Sequence, residues 1–270
     1  MADEPDWIPA GVDTKQANVA RVYDYWLGGS HNFLPDQDLG RSMAAVDPNV
    51  RGIARANRAF LGRAVRFLTA SGIRQFLDIG SGIPTEGNVH EIAQRADPAC
   101  RVAYAEIDPV AVAHSKAILA GNSGAAIIEA DLLAPDKILA HDGVRRLIDL
   151  GQPVGLLLVA VLHCIGDAED PWEIVATLRD ALAPGSYIVL SHATNESKPE
   201  VVQAAEKVYH RSAPSEGRAR SRAEIQRFFD GCDLLDPGLT YVPQWRPDSP
   251  ADVPDDPGTL WFLVGVARKS

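Results

Sequence analysis

The sequence predicts an α/β fold: a mostly parallel, doubly wound sheet behind a helical N-terminal segment, finished by an antiparallel edge. Three observations carry this. Residues 14–72 show helical periodicity and no convincing strand. From residue 74, short apolar runs alternate with helical stretches, the pattern of parallel strands covered on both faces by crossover helices. Two late apolar runs are joined by a loop instead of a helix, which suits antiparallel pairing.

Taken in order, "TKQANVARVYDYWLGG" places Val19, Tyr23 and Trp26 at i, i+4 and i+7, with Gly28 and Gly29 as a stop. In "VRGIARANRAFLGRAVRFLTASG", Ile53, Phe60, Leu61, Ala64, Val65 and Leu68 form an apolar face ending at Gly72. Such faces need a partner, so residues 1–72 read as a helical cap that does not fold alone, and residues 73–270 as the sheet domain. "RQFLDIG", "RVAYAEID", "AAIIEADL", "PVGLLLVAVLH" and "GSYIVLSHA" are strands, with helices over 85–96, 109–120 and 171–182 between them. Beyond Thr194, "KPEVVQAAEKVYHRS" and "SRAEIQRFF" read as helices, and "GLTYVP" and "LWFLVGVARK" as the late strands. The intervening "QWRPDSPADVPDDPG", with four prolines and four aspartates, has the composition of a mobile loop.

A 270-residue chain with 46% hydrophobic and 23% charged residues has ordinary globular proportions. A chain of that size buries roughly 75% of its unfolded surface, so no staple is required. Cys100, Cys164 and Cys232 fit neither a disulfide framework nor a zinc spacing, which favours a reducing compartment. The acidic, proline-broken opening "MADEPDWIPAGVD" is unlike a secretory signal, and the longest apolar run is about half of the roughly 20 residues of a membrane span. The expectation is a soluble, cytoplasmic protein. A net charge of −10 argues against non-specific nucleic-acid binding.

The stretch "FLDIGSGIPTEGN" runs from a buried strand into a glycine-rich turn. Gly80 and Gly82 allow backbone to approach a ligand closely, but Pro84 and Thr85 replace the small residues and third glycine of a dinucleotide fingerprint. Pro84 fits the first turn of a helix whose Val89, Ile92, Ala93 and Ala96 face the sheet, and it removes a donor from any phosphate cradle. An adenosine-bearing cofactor without pyrophosphate fits better, and S-adenosylmethionine is the obvious one. Glu106, 24 residues after Gly82, is placed to accept from both ribose hydroxyls. Asp108 before Pro109 reads first as a helix cap and second as a ligand. Asp131 is either a turn residue or an acceptor for the adenine amino group, with the Leu132 backbone beside it.

"FLDIGSGIPT", "YAEIDP", "EADL", "LLLVAVLHCIGD" and "LAPGSYIVLSHAT" resemble the successive motifs of class I S-adenosylmethionine-dependent methyltransferases. With "ARVYDYWLGGSHNF" and "NRAFLGRAVRFL", the chain more closely resembles the largely actinobacterial methyltransferase family long listed as a domain of unknown function, over residues 15–268. The resemblance implies a Rossmann-like, seven-stranded sheet with a helical N-terminal cap. It places Gly80, Ser81 and Gly82 beside the methionine part of the cofactor, Glu106 on the ribose and Ile107 on the adenine. It also places Asp131 and Leu132 at the adenine edge, and Ala160 and Val161 at the cofactor after the fourth strand. Pro84 departs from the usual third glycine and Glu106 from the frequent Asp. No N-P-P-Y segment is present, which weakens amide or base N-methylation.

Methyl transfer from a sulfonium is a displacement, so alignment alone supplies about 7–11 kcal/mol. "VYDYWLGGSHNF" is a candidate lid in which Tyr23, Tyr25 or Trp26 faces the cofactor; Tyr23 and Trp26 read equally as core, and Tyr25, off that stripe, is the better contact. Arg51, Arg55 and Arg58 form a row that is either solvated or brings Arg58 to a carboxylate. His163 is the first candidate base, followed by His31 and by His192 after the fifth strand, with Asp24 and Asp167 weaker. No metal-ligand spacing is evident, so a metal-independent reaction on a small-molecule acceptor is expected. The alternatives are an NAD-dependent oxidoreductase and a catalytically silent, cofactor-binding regulatory protein, the latter a possible homodimer through its C-terminal helices.

Overall fold

The computed structural model describes residues 12–84, 87–212 and 216–270; the opening residues 1–11 and Thr85, both used above, lie outside them. Helix α1 (Val19–Leu27) begins where the Asn18 side chain accepts from the Ala20 N–H, and it stops at Gly28 in the left-handed conformation (φ 86°). α2 (Leu34–Val46) and α3 (Val50–Ala70) complete the cap. All six residues expected on the apolar face of α3 are buried.

The sheet domain continues with β1 (Gln75–Ile79), α4 (Val89–Ala96), β2 (Arg101–Glu106), α5 (Pro109–Ile118) and β3 (Ala125–Glu129). Then come α6 (Pro135–Ala140), α7 (Asp142–Arg145), β4 (Gly155–Val159), α8 (Pro171–Asp180) and β5 (Tyr187–Ala193). These five strands are parallel, in the order β3-β2-β1-β4-β5, so the chain changes direction between β1 and β4. That crevice is where open α/β sheets hold ligands. The first helix differs from expectation. α4 starts at Val89, its Asn88 N–H held by Glu91 Oε2 at 3.0 Å, so Pro84 lies in the loop and not in the helix. Ala96, at the end of that helix, is exposed instead of facing the sheet.

α9 (Pro199–Ser212) and α10 (Arg222–Gln226) precede β6 (Cys232–Leu234), β7 (Thr240–Tyr241) and β8 (Phe262–Lys269). β8 runs antiparallel between β5 and β6, and β7 pairs with its first half, making eight strands among the described residues where seven are expected. The extra strand, "CDL", is too short and too polar to announce itself by alternation. The proline-rich loop is anchored at its start. Trp245 is fully buried edge-on against Phe60, and Arg63 donates to the carbonyls of Val242 and Trp245, both at 2.9 Å.

Strand residues alternate between two cores. Phe76, Val102, Leu157 and Val189 face α3 and α4, while Leu77, Ala103, Leu156 and Ile188 face α6, α7 and α8. The first core also takes in Val22, Leu39, Met43 and Ile53 from the cap. A buried charged group crosses the same boundary. Arg21 Nε lies 3.4 Å from Asp36 and 3.7 Å from Asp108, joining α1, α2 and the start of α5. No helix among the described residues is long and apolar enough to cross a membrane.

Candidate active site

A cavity of about 790 Å³ sits at the carboxyl ends of β1, β2, β3 and β4, roofed by α1, α2, α3 and α9. Its size lies within the usual ligand-pocket range of roughly 300–1,000 Å³. The turn after β1 enters it with Gly80 at φ 72° and Gly82 at φ 66°, left-handed values that favour glycine. A Cβ on Gly80 would also overlap Val161, so the glycine lets two walls of the cavity meet. Opposite, Ala160 holds φ 59°, an unusual value for alanine, while its N–H donates to Ser191 Oγ at 2.8 Å. Ser81 Oγ is buried with no partner among the described residues.

Glu106 closes the turn onto β2. Oε2 accepts from the Gly82 N–H at 2.8 Å, and Oε1 accepts from Ile107 (2.8 Å) and Asp108 (2.9 Å). Burial pushes this carboxyl up, and the three N–H groups oppose the shift. A carboxylate offers about four acceptor positions, so one is left over for a hydroxyl. A grip on both ribose hydroxyls therefore requires one of these three N–H groups to give up its place.

Asp108 lines the cavity, but its carboxylate is committed. Oδ1 accepts from the Ala111 N–H at 2.9 Å, capping α5, and Oδ2 faces Arg21. Asp131 is exposed, with Oδ1 on the Leu133 N–H at 2.9 Å. Ile107 is 56% exposed and Leu133 49% exposed at the rim, large apolar surfaces open to a planar ring. Leu132, Ala160 and Val161 are also in the lining.

The cap residues divide differently from expectation. Tyr25 is not in the lining: it packs on α2 at Gly40 and lies under the Arg51 guanidinium, 5.4 Å from ring centre to Cζ. Tyr23 and Trp26, which read equally as core, are the ones that face the cavity. Two residues along a helix is about 200°, so the chain cannot present Tyr23 and Tyr25 to one side. Of the arginine row, Arg51 and Arg55 are exposed, whereas Arg58 lines the cavity. Its charge bears on Tyr23 and on Asp78, a residue of β1. Asp78 is 5% exposed and its carboxyl is pushed up to about 7, chiefly by burial, with Arg58 opposing and Glu106 adding. Its signal in the sequence is a carboxylate inside the apolar "FLDIG".

The histidines separate as well. His163, in the short turn Leu162–Cys164 after β4, lines the cavity, edge-on to Phe262 with ring centres 5.2 Å apart. Burial, with a contribution from the Arg220 charge, pushes it down to about 4, so it is neutral at pH 7. His31 lies outside the lining, its ring 3.7 Å from that of His114. His192 is within β5, not after it, and both its nitrogens are used. Arg220 can only donate, so Nε2 accepts from it at 2.9 Å and Nδ1–H donates to the Ala193 carbonyl at 2.7 Å. Asp24 holds the turn after α1 through the His31 N–H and Asn32, and Asp167 pairs with Arg218 and Arg220. Neither is placed to act as a base. Cys164 also lines the cavity, but burial pushes its thiol up to about 11, so it is no thiolate.

The site thus combines a close-approach glycine turn, one spare carboxylate acceptor, exposed apolar edges and a neutral imidazole. This suits a nucleoside-bearing ligand with a reacting group beyond it. Among known proteins, the sequence matches the family described as S-adenosyl methyltransferase over residues 5–270. The chain is similar to a candidate methyltransferase of Thermobifida fusca YX, at 39% identity and TM-score 0.92, over 98% of this chain and 100% of that one. It is similar to a DUF574-family protein of Streptomyces avermitilis, at 38% identity and TM-score 0.91, over 96% and 99% of the two chains. Human N-acetylserotonin methyltransferase, crystallised with S-adenosylmethionine, shares the fold alone, at 14% identity and TM-score 0.51 over 94% of this chain and 63% of that one. No curated protein matches the chain.

Proposed function

The chain belongs to the S-adenosyl methyltransferase family, and on that premise we propose that it moves a methyl group from S-adenosylmethionine to a small-molecule acceptor by in-line displacement, without a metal ion. The observation that carries this is the convergence of the Gly80 and Gly82 turn, buried Glu106 and rim residue Ile107 on one cavity. When bound, S-adenosylmethionine supplies an activated methyl group whose bond to sulfur breaks as the acceptor's lone pair forms the new bond.

This chain's residues then have definite tasks. Glu106 holds a ribose hydroxyl with its spare acceptor position, Ile107 and Leu133 flank the adenine, and Asp131 meets its amino group. Arg58 takes the carboxylate of the methionine end. Tyr23 and Trp26 put aromatic surface beside the positive charge, worth about 0.5–2 kcal/mol when water is excluded. The acceptor lies under the cap, among Met43, Ile53, Val202, Trp261 and Phe262, all of which line the cavity. His163, neutral and in the same lining, accepts a hydrogen bond from an acceptor hydroxyl and orients its lone pair. With its pKa near 4, it is a guide for the proton more than a store. The three cysteines are free, which supports a reducing, cytoplasmic setting.

The test is calorimetric titration with S-adenosylmethionine, S-adenosylhomocysteine and NAD, with a Glu106→Ala variant alongside. Micromolar binding of the first two, weakened at least tenfold in the variant, is expected, followed by methylated product from an apolar acceptor panel read by mass spectrometry. Binding of NAD alone would overturn the reading. Tight binding without any product across the panel would favour the regulatory alternative.

A further inference from the structure

The cavity contains a buried acceptor that the reading above leaves unused. Asn57, on α3, is 2% exposed and lines the cavity. Its orientation follows from its neighbour. The Tyr23 hydroxyl has a single hydrogen, donated to the Ala54 carbonyl at 2.9 Å. Its 3.1 Å contact with Asn57 must therefore be a donation from Asn57 Nδ2. The amide is fixed, and Oδ1 is turned away, buried and without a partner among the described residues. Buried acceptors are nearly always satisfied in folded proteins, so this one calls for a donor.

The surroundings specify the donor. Arg58 is the next residue; with Asp78 and Ser81 it lines one small recess, and its charge acts on both Tyr23 and Asp78. Ser81 Oγ, also unpartnered, lines the same cavity. An amide oxygen, a carboxyl and a hydroxyl gathered beside a guanidinium match an α-amino acid, whose ammonium offers three N–H donors and whose carboxylate suits arginine. The nucleoside end is already provided for at Glu106 and Ile107.

We propose that Asn57, oriented by Tyr23, accepts from the α-ammonium group at the methionine end of the cofactor. This rests on the S-adenosylmethionine reading and extends it. The cap selects for the zwitterionic amino-acid end, while the sheet edge selects for the nucleoside. A nucleoside thioether truncated at the sulfur keeps the second set of contacts and loses the first.

Titration of the full chain with three probes tests this: S-adenosylhomocysteine, its analogue lacking the α-amino group, and 5′-methylthioadenosine. In the wild type, loss of the amino group should weaken binding about tenfold or more, the usual size for a bond to a charged donor. Asn57→Ala should erase most of that difference, weakening S-adenosylhomocysteine while changing the other two less than about threefold. Tyr23→Phe, which keeps the ring and frees the amide to turn, should show the same selectivity in smaller degree and serves if Asn57→Ala does not fold. Equal weakening of all three probes, or an undiminished amino-group preference in both variants, would overturn the assignment. Wild-type binding that ignores the amino group would overturn it too, while leaving the cofactor reading intact. Failure of the wild type to bind any probe would remove the cofactor reading itself, and this inference with it.

Discussion

Replacing Asp78 with Asn tests whether the carboxyl on β1 is kept for a ligand at the expense of the fold. Asp78 is 5% exposed, and its carboxyl is pushed from 3.8 up to about 7 mainly by burial. At about 1.36 kcal/mol per pH unit, that difference corresponds to at most about 4 kcal/mol. The sign follows from the direction. Because the folded pKa is raised, this contribution is fully present below the unfolded value near 4 and is lost as pH rises through about 7. Asn cannot ionise, so the variant lacks that loss. Melting curves of both ligand-free proteins should nearly coincide at about pH 3.5 and separate as the pH rises, the variant being more stable by up to about 4 kcal/mol at about pH 8.5. At about 2–4 °C per kcal/mol for a chain of this class, the gain is on the order of 10 °C. S-adenosylhomocysteine should nevertheless bind the variant more weakly. Parallel pH profiles, or a variant less stable at every pH, would refute the reasoning and make Asp78 a structural partner of Arg58.

Three further outcomes follow from the same geometry. Gly80→Ala must place a side chain at φ 72° against Val161, so binding of S-adenosylhomocysteine should fall at least tenfold while far-ultraviolet circular dichroism is retained. His163 should titrate near pH 4 by imidazole nuclear magnetic resonance; its folded pKa is lowered, so its contribution is present above about 6.5 and lost as pH falls through about 4, and His163→Gln should flatten that acid limb. Asp36→Ala strands Arg21 beside Asp108 and removes acceptors from the Asn18 and Phe33 N–H groups, so urea denaturation should show a loss of about 3–5 kcal/mol.

What was legible in the sequence depended on local signals. The five parallel strands are apolar runs bounded by turn residues, and α3 repeats its apolar face over six residues, so periodicity alone located them. Glu106 and the glycines announce themselves by their spacing after a buried strand. The misjudged residues are those whose role is decided by an element distant in sequence. Tyr25 stands off the apolar stripe of α1, and sequence alone does not show that this stripe, besides packing Trp26 on the core, lines the cavity. His192 looked available until Arg220, 28 residues later, occupied its ring nitrogen. Asp108 showed its capping role in the following proline, but its second partner, Arg21, comes from the other end of the chain.

That last pairing explains why a helical cap belongs on this sheet. The Asp108 N–H holds Glu106 Oε1, the Asp108 side chain caps α5, and its other oxygen faces Arg21 of α1. Arg21 in turn meets Asp36, whose two oxygens hold the first turns of α1 and α2 through Asn18 and Phe33. The acceptor position proposed for the ribose is thus two residues from the joint that fixes the cap. A displacement needs nucleophile and carbon in line, within a fraction of an ångström, and those partners are held by different parts of the chain. Sheet edge and cap can meet that tolerance only if they are registered against each other. A buried charged joint does this better than apolar contact alone, because sliding it leaves charges unpaired in the interior. On this view the cost of burying Arg21, Asp36 and Asp108 is accepted for position, because the same contact registers the cap against the turn that carries Glu106.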